Sequence, residues 1–187
     1  MNFILGLDVS TACTGWSVFN DKHEFVDMGA IELSKIKGFY RKADTVRQKI
    51  DELSKQYKFN RVYIEENLQS FRRGFSSAQT LSTLARFNGV VSLISYETFG
   101  VEPVHINVNA ARKGLGIKLV RKSKGGAPTK QQIFEWVDKD LTTLGITYPW
   151  PIKILKSGPR KGFELLDPCA YDMADAYVIT KSGLKLP

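Results

Sequence analysis

Cysteine and histidine are scarce in this sequence: its 187 residues hold two of each, Cys13 and Cys169, His23 and His105. Two cysteines so far apart, in a chain expected to be cytosolic, read as free thiols, and with two histidines they make a poor zinc site. No apolar run approaches a membrane span, so no membrane partner is expected. The opening Met1-Asn2-Phe3-Ile4-Leu5 lacks the basic start of a signal peptide and runs straight into a charged motif. It reads as a core strand, which places the chain in the cytoplasm of its cell, or of a cell its genome infects. An internal repeat is also missing. The 43% apolar and 25% charged residues that are present make a globular balance and exclude disorder. The length suits one α/β domain over residues 1–187, able to bury its own core.

Acidic residues are absent from long stretches of a chain whose net charge is +8. Residues 103–134 contain none, but hold Arg112, Lys113, Lys118, Arg121, Lys122, Lys124 and Lys130. A second acid-free stretch carries Lys153, Lys156, Arg160 and Lys161, and a third, between positions 66 and 97, carries Arg72, Arg73 and Arg86. Such blocks point to a polyanion, most often nucleic acid; the competing reading is a solvated basic surface on an ordinary enzyme.

Apolar patterning supplies the elements. Residues 3–9 form a dense apolar run, a central strand; 15–19 and 24–33 follow as strands, with turns at Thr14-Gly15 and Asn20-Asp21. Phe39, Ala43, Val46, Ile50, Leu53 and Tyr57 recur at helical spacing. Residues 61–64 and 101–108 read as strands, the latter broken by Pro103, and 76–98 as a long helix. A helix over 130–137 is expected to be capped by Thr129, and a last helix over 167–180 to carry Pro168 in its first turn. The order β-β-β-α-β-α-β-α-α implies one mixed sheet, an antiparallel meander beside parallel strands, with helices on it. Two segments read as irregular. The first is a basic loop at about 114–128, whose Ser123-Lys124-Gly125-Gly126 is expected to be mobile. The second, at about 141–166, contains Pro149-Trp150-Pro151 and Ser157-Gly158-Pro159, and is either a rigid insertion or a short extra hairpin. The 76–98 helix has Leu81, Leu84, Ala85, Val91 and Ile94 on one side, and Val90 and Leu93 extend that apolar surface. The excess is covered by the 141–166 segment, or by a second copy of the same helix across a two-fold axis, with Ala85, Gly89 and Ser92 permitting close approach.

Four carboxylates fall where these elements could gather them. Asp8 ends the first strand, Glu65 ends the fourth, and Asp172 and Asp175 stand i, i+3 on the last helix, beside a stripe of Cys169, Met173, Ala176 and Tyr177. Each alone has a bland reading: a turn former, an edge charge, an exposed helix face. Together they suit a hard divalent cation, Mg²⁺ above all, which offsets their repulsion. Two such ions about 4 Å apart activate water and stabilise the leaving oxygen in phosphodiester cleavage. Glu66 and Asp167 are further possible ligands.

At these residues the chain resembles the RuvC-type Holliday junction resolvases. Gly6-Leu7-Asp8-Val9-Ser10, followed by Thr14-Gly15-Trp16, is similar to the family's first motif. Tyr63-Ile64-Glu65 is similar to its second, and Asp172-Met173-Ala174-Asp175-Ala176 to its last. Thr129-Lys130-Gln131-Gln132 resembles a family segment that follows a basic loop and opens a helix. The resemblance implies an RNase H-like fold, a homodimer, two Mg²⁺ ions (or Mn²⁺) per active site, and paired symmetric nicks across a four-way DNA junction. It assigns catalysis and metal binding to Asp8, Glu65, Asp172 and Asp175, and DNA-backbone roles to Lys113 and Lys130. Lys118, Arg121, Lys122 and Lys124 add a basic DNA track. The spacer between Lys113 and Lys130 is longer than in bacterial members, and the 141–166 segment is an addition, as suits a divergent phage or viral member. Leu68 stands where the family commonly has an aromatic wedge; Phe71, beside Arg72 and Arg73, is the candidate replacement.

Other readings carry distinct signatures. Sugar kinases and actin-like ATPases also begin with a strand Asp and a Ser/Thr turn. They need a second domain and a Gly-rich adenosine loop, neither of which is visible, so no nucleotide cofactor is expected. A non-catalytic junction-binding module would have lost a carboxylate. A nuclease for flaps, forks or other branched DNA would share the whole acidic set, because metal chemistry does not choose the substrate. His105 reads as structural, His23 as a turn residue, Trp16 and Trp136 as core, and Trp150 as either a packed corner or an exposed contact.

Overall fold

The computed structural model describes residues 1–66 and 78–186. A five-stranded sheet of order β3-β2-β1-β4-β5 is built from β1 (Phe3–Asp8), β2 (Cys13–Asn20), β3 (Phe25–Glu32), β4 (Phe59–Glu65) and β5 (Val104–Ile106). β1, β2 and β3 pair antiparallel, and β1–β4 and β4–β5 pair parallel. This is the mixed sheet expected from the element order, in the RNase H-like arrangement that the resemblance implies. Its helices are α1 (Phe39–Gln56), α2 (Ala78–Phe99), α3 (Val108–Gly114), α4 (Thr129–Thr143) and α5 (Cys169–Gly183). A short ribbon pairs β6 (Ile152–Ile154) with β7 (Glu164–Leu166), so the 141–166 segment contains the extra hairpin.

Two apolar layers sandwich the sheet. On one face Leu5, Leu7, Val18, Val62 and Ile64 meet Ala43, Val46, Ile50 and Leu53 of α1 and Phe87, Val91 and Ile94 of α2. On the other, Ile4, Phe19, Met28 and Tyr63 meet Ile133, Val137 and Leu141 of α4 and Met173, Ala174, Tyr177 and Val178 of α5. The α1 stripe is the one its periodicity indicates. α5 is different: from Met173 to Thr180 it is buried all round, so the expected stripe and polar face both understate it.

Two glycines let α5 lie this close. A Cβ at Gly6 of β1 would fall 1.7 Å from Thr180 Oγ1, and one at Gly15 of β2 would fall 1.9 Å from the backbone oxygen of Asp172. Between them Ser17 Oγ donates to the Ala176 carbonyl at 3.0 Å, so the buried contact is also hydrogen-bonded. The sheet therefore holds the first turns of α5 directly against the ends of β1 and β2.

Several sequence expectations change here. The fifth strand shrinks to three residues, because Asn107 opens α3: its side chain accepts from the amides of Asn109 (3.0 Å) and Ala110 (3.2 Å). Thr129 is the first residue of α4, not its cap, and Pro128 precedes it with no side-chain capping bond. Pro168 likewise stands just before α5. In the basic segment, Lys122–Lys124 form a 3₁₀ turn closed by Gly125 in the left-handed region, and Gln132 bonds both backbone groups of Val120 at 2.8 and 2.9 Å. The 141–166 segment does not cover α2. Tyr148 donates to the Met28 carbonyl, and Trp150 donates to Asp138 at 2.7 Å while packing at a tilt against the Phe134 ring, so the segment caps the α4–α5 side. Trp150 is thus a packed corner. Leu93 and Tyr96 of α2 stay 55% and 52% exposed.

Candidate active site

Strand parity aims two of the acids. Side chains alternate across a strand, and in β1 Leu5 and Leu7 face α1 and α2 while Ile4 and Gly6 face α5. Asp8 therefore ends β1 on the α5 face. In β4, Val62 and Ile64 take the first face and Tyr63 the second, so Glu65 joins Asp8. The strands run parallel with Leu7 beside Ile64, which sets the two C-terminal carboxylates side by side. Asp172 and Asp175, one turn apart on α5, come down over them at the end held by Gly15.

The electrostatics follow from this arrangement of all four. Burial, and then the charges of Glu65, Asp175 and Asp172, push the Asp8 carboxyl far above the usual carboxylate range. Glu65 is pushed up to about 7, by burial first and then by Asp175, against the lowering effect of its hydrogen bond with Asp8 and of Arg112 and Lys130. Burial also raises Asp175, although Arg112 opposes it. Such a group of half-desolvated carboxylates favours either protons or cations.

Two cations from the acid-free stretch reach in. Arg112 of α3 donates from Nη2 to Asp175 Oδ1 at 2.9 Å, with both side chains largely buried. Lys130, at the start of α4, donates from Nζ to Asp172 Oδ1 at 3.2 Å while remaining 61% exposed. Burial would lower the Lys130 ammonium, but Asp172, Asp8 and Asp175 outweigh it and raise it. Sequence reading set Lys113 against DNA and counted Arg112 only as part of a basic block; the structure puts Arg112 inside the cluster. The only signal for it was the Asn107 cap, which fixes the phase of α3.

Supporting contacts hold the acids in place. Buried Asn88 of α2 donates to the Glu65 carbonyl at 2.9 Å, and its Oδ1 lies 3.2 Å from His105 Nε2, a structural role for that histidine. Asn107 Nδ2 donates to Glu66 Oε2 at 3.2 Å, directing Glu66 toward the α3 cap. Asp167 Oδ1 accepts the amide of Cys169 at 2.9 Å. Arg112, Lys113 and Lys118 line a cavity of about 340 Å³ beside the cluster. Lys113, Lys118, Arg121, Lys122 and Lys124 are all exposed. Phe71, Arg72, Arg73 and Leu68 lie outside the described residues.

The donor set fits a hard cation: four carboxylates, oxygen donors only, destabilised by one another. It is also open. Among the described residues, the group of three Cys, His, Asp or Glu donors that closes to within 4.8 Å is Cys13, Cys169 and Asp172. Asp175 and Asp172 are drawn toward Arg112 and Lys130. The two thiols are unbonded, as expected, but the fold overturns their separation in sequence: they meet beside the acidic cluster.

No protein-family model matches the chain, and no curated protein matches it by sequence. Its structure is similar to that of Thermus thermophilus RuvC in complex with a Holliday junction substrate, at 15% identity and a TM-score of 0.60, covering 97% of this chain and 92% of that one. A second Thermus thermophilus RuvC structure matches at 17% identity and a TM-score of 0.58, covering 96% and 92%. The yeast mitochondrial Holliday junction resolvase matches at 13% and 0.55, covering 97% of this chain and 77% of that one. The chain thus has the RNase H-like fold in the form these resolvases take, over nearly its whole length.

Proposed function

We propose that this chain is a metal-dependent, structure-specific endonuclease that resolves four-way DNA junctions as a homodimer by paired, symmetric nicks. The observation that carries the proposal is the convergence of Asp8, Glu65, Asp172 and Asp175, from three separate elements, at the edge of an exposed basic face. The fold shared with RuvC-type resolvases supports the choice of substrate.

Asp8, Glu65, Asp172 and Asp175 would hold two Mg²⁺ ions, with Mn²⁺ able to substitute; bound there, the ions supply the acid strength that lets water attack a phosphodiester at neutral pH. The chain's own groups do the rest. Gly6 and Gly15 fix α5 against the sheet, so the carboxylates are pre-positioned and little reorganisation precedes reaction. Arg112 and Lys130 hold Asp175 and Asp172 and stand ready to turn to phosphate oxygens. Lys113, Lys118, Arg121, Lys122 and Lys124 attract the DNA backbone with no preference for base sequence. On α2, the exposed Leu93 and Tyr96, with Gly89 open beside them, offer a face for the second protomer, whose own cluster would then act on the opposed strand.

The test compares four-way, forked and linear DNAs of matched sequence. In Mg²⁺ the wild type is expected to cut the junction fastest, and Asp8→Asn to bind the junction without cutting it. Preferential cutting of forks would retain the nuclease and reject the resolvase. Undiminished cutting by Asp8→Asn, or in excess EDTA, would reject the metal centre.

A further inference from the structure

Alternation in β2 sends Cys13, Gly15 and Ser17 to the α5 face, and α5 begins at Cys169, one turn before Asp172. The close approach at Gly15 therefore also brings the two thiols together. Both sulfurs and a carboxylate oxygen of Asp172 lie within 4.8 Å of one another. Cys13 is buried, but Cys169 opens onto a cavity of about 360 Å³, whose walls include Glu32, Asp167 and Met173. An ion from solvent can reach the sulfurs from that side.

The geometry points to a second cation site, Cys13–Cys169–Asp172, that takes a thiophilic divalent ion such as Zn²⁺ and, on the proposed reading of the acidic cluster, withdraws Asp172 from the hard-metal centre. Donor atoms around a tetrahedral zinc stand roughly 3.5–4 Å apart, so modest side-chain adjustment closes the set. Two thiolates select soft or borderline ions over Mg²⁺, which suits the all-oxygen cluster beside them. Solvent in the cavity, or Asp167 beside Cys169, completes the shell. Binding one ion releases the two thiol protons to solvent, forms two sulfur–metal bonds and one oxygen–metal bond, and transfers no electrons. Asp172 also accepts from Lys130 through Oδ1, so the incoming ion competes with that ammonium for the carboxylate.

The experiment titrates the full chain, kept reduced by a phosphine and free of DNA, with Co²⁺ and Cd²⁺. The strong ultraviolet charge-transfer band of thiolate ligation is expected to saturate at one ion per chain, with protection of both thiols from an alkylating reagent. Cys169→Ser and Cys13→Ser should abolish the band, while Asp8→Asn should keep it. Because Cys13 is buried, the half-exposed Cys169→Ser variant is decisive should Cys13→Ser fail to fold. Cd²⁺ should also shrink the Mg²⁺-dependent rise in melting temperature in the wild type and leave it unchanged in Cys169→Ser. A missing band, or one that survives Cys169→Ser, would overturn the site. A band with no effect on the Mg²⁺ response would overturn the coupling to Asp172. The band is independent of the nuclease reading. The Mg²⁺ response rests only on Mg²⁺ binding to the acidic cluster, so a wild type with no Mg²⁺ response but an intact band would reject that cluster and keep the thiolate site.

Discussion

Replacing Glu65 by Gln should make the metal-free protein more stable and inactive at once. Glu65 is held up to about 7 against an ordinary 4.5, by burial and by the charge of Asp175. Below pH 4.5 the carboxyl carries its proton in both folded and unfolded chains, and there is no penalty. As pH rises through that value the unfolded chain releases the proton and the folded one retains it, so stability falls. The loss is complete above about pH 7. At ~1.4 kcal/mol for each pH unit, the folded protein gives up roughly 3 kcal/mol. Gln has nearly the same shape, can still accept from Asp8 through its amide oxygen, and never ionises. In EDTA at pH 8, Glu65→Gln should therefore melt above the wild type, by about 6–12 °C at the sensitivity usual for a chain of this size. At pH 4.5 the difference should vanish. Added Mg²⁺ should raise the wild type much more than the variant, because ions that bind only the folded state stabilise it. Paired thermal melts with and without chelator, at both pH values, are the assay. A variant that melts at or below the wild type in EDTA at pH 8, or that gains equally at both pH values, would refute the reasoning.

Three further outcomes follow from particular contacts. Gly15→Ala would drive a Cβ to 1.9 Å from the Asp172 backbone carbonyl, which cannot swing aside, so α5 must shift; cleavage should drop on the order of 100-fold, as for a misplacement of ~1 Å, with junction binding retained, and normal activity would show that the close approach does not position the acids. Neutralising Lys118, Arg121, Lys122 and Lys124 together should weaken binding to every DNA shape and flatten the log–log salt dependence by up to ~4 units; an unchanged slope would turn this segment away from DNA. Leu93→Glu should dissociate the proposed dimer without unfolding the chain, since Leu93 is already exposed; sedimentation at micromolar concentration checks it, and a wild type that sediments as a monomer with and without junction DNA would dispose of the α2 interface.

The acidic cluster was legible because each of its members obeys a local rule. Asp8 and Glu65 end strands with clear apolar runs, and the period of two decides their face. Asp172 and Asp175 keep the i, i+3 spacing of one helix face. The meander was legible from the turn residues between its strands, and α1 from its apolar stripe. α3 was not, because only Val108 and Ala111 of it are buried, too few to show a period. Arg112 was missed with it, since its partner Asp175 lies on a different element far along the chain. The meeting of Cys13 and Cys169 was hidden for the same reason: sequence distance argued against it, and only the glycine contact between β2 and α5 brings them together. The cover of α2 stayed open between the 141–166 segment and a second copy because Tyr148 and Trp150 look equally able to pack on either side of the sheet. Their hydrogen bonds to Met28 and Asp138 commit them to the α4–α5 layer.

The most direct measurement uses a supercoiled plasmid that extrudes a cruciform, incubated with the wild-type protein and Mg²⁺ over time. Two carboxylate clusters related by a two-fold axis should nick opposed strands in near-simultaneous steps. Linear product with ligatable ends should then appear from the start, with little open circle. Open circles that accumulate and persist at high protein concentration would contradict paired resolution, and a plasmid left intact in both Mg²⁺ and Mn²⁺ would contradict the nuclease itself.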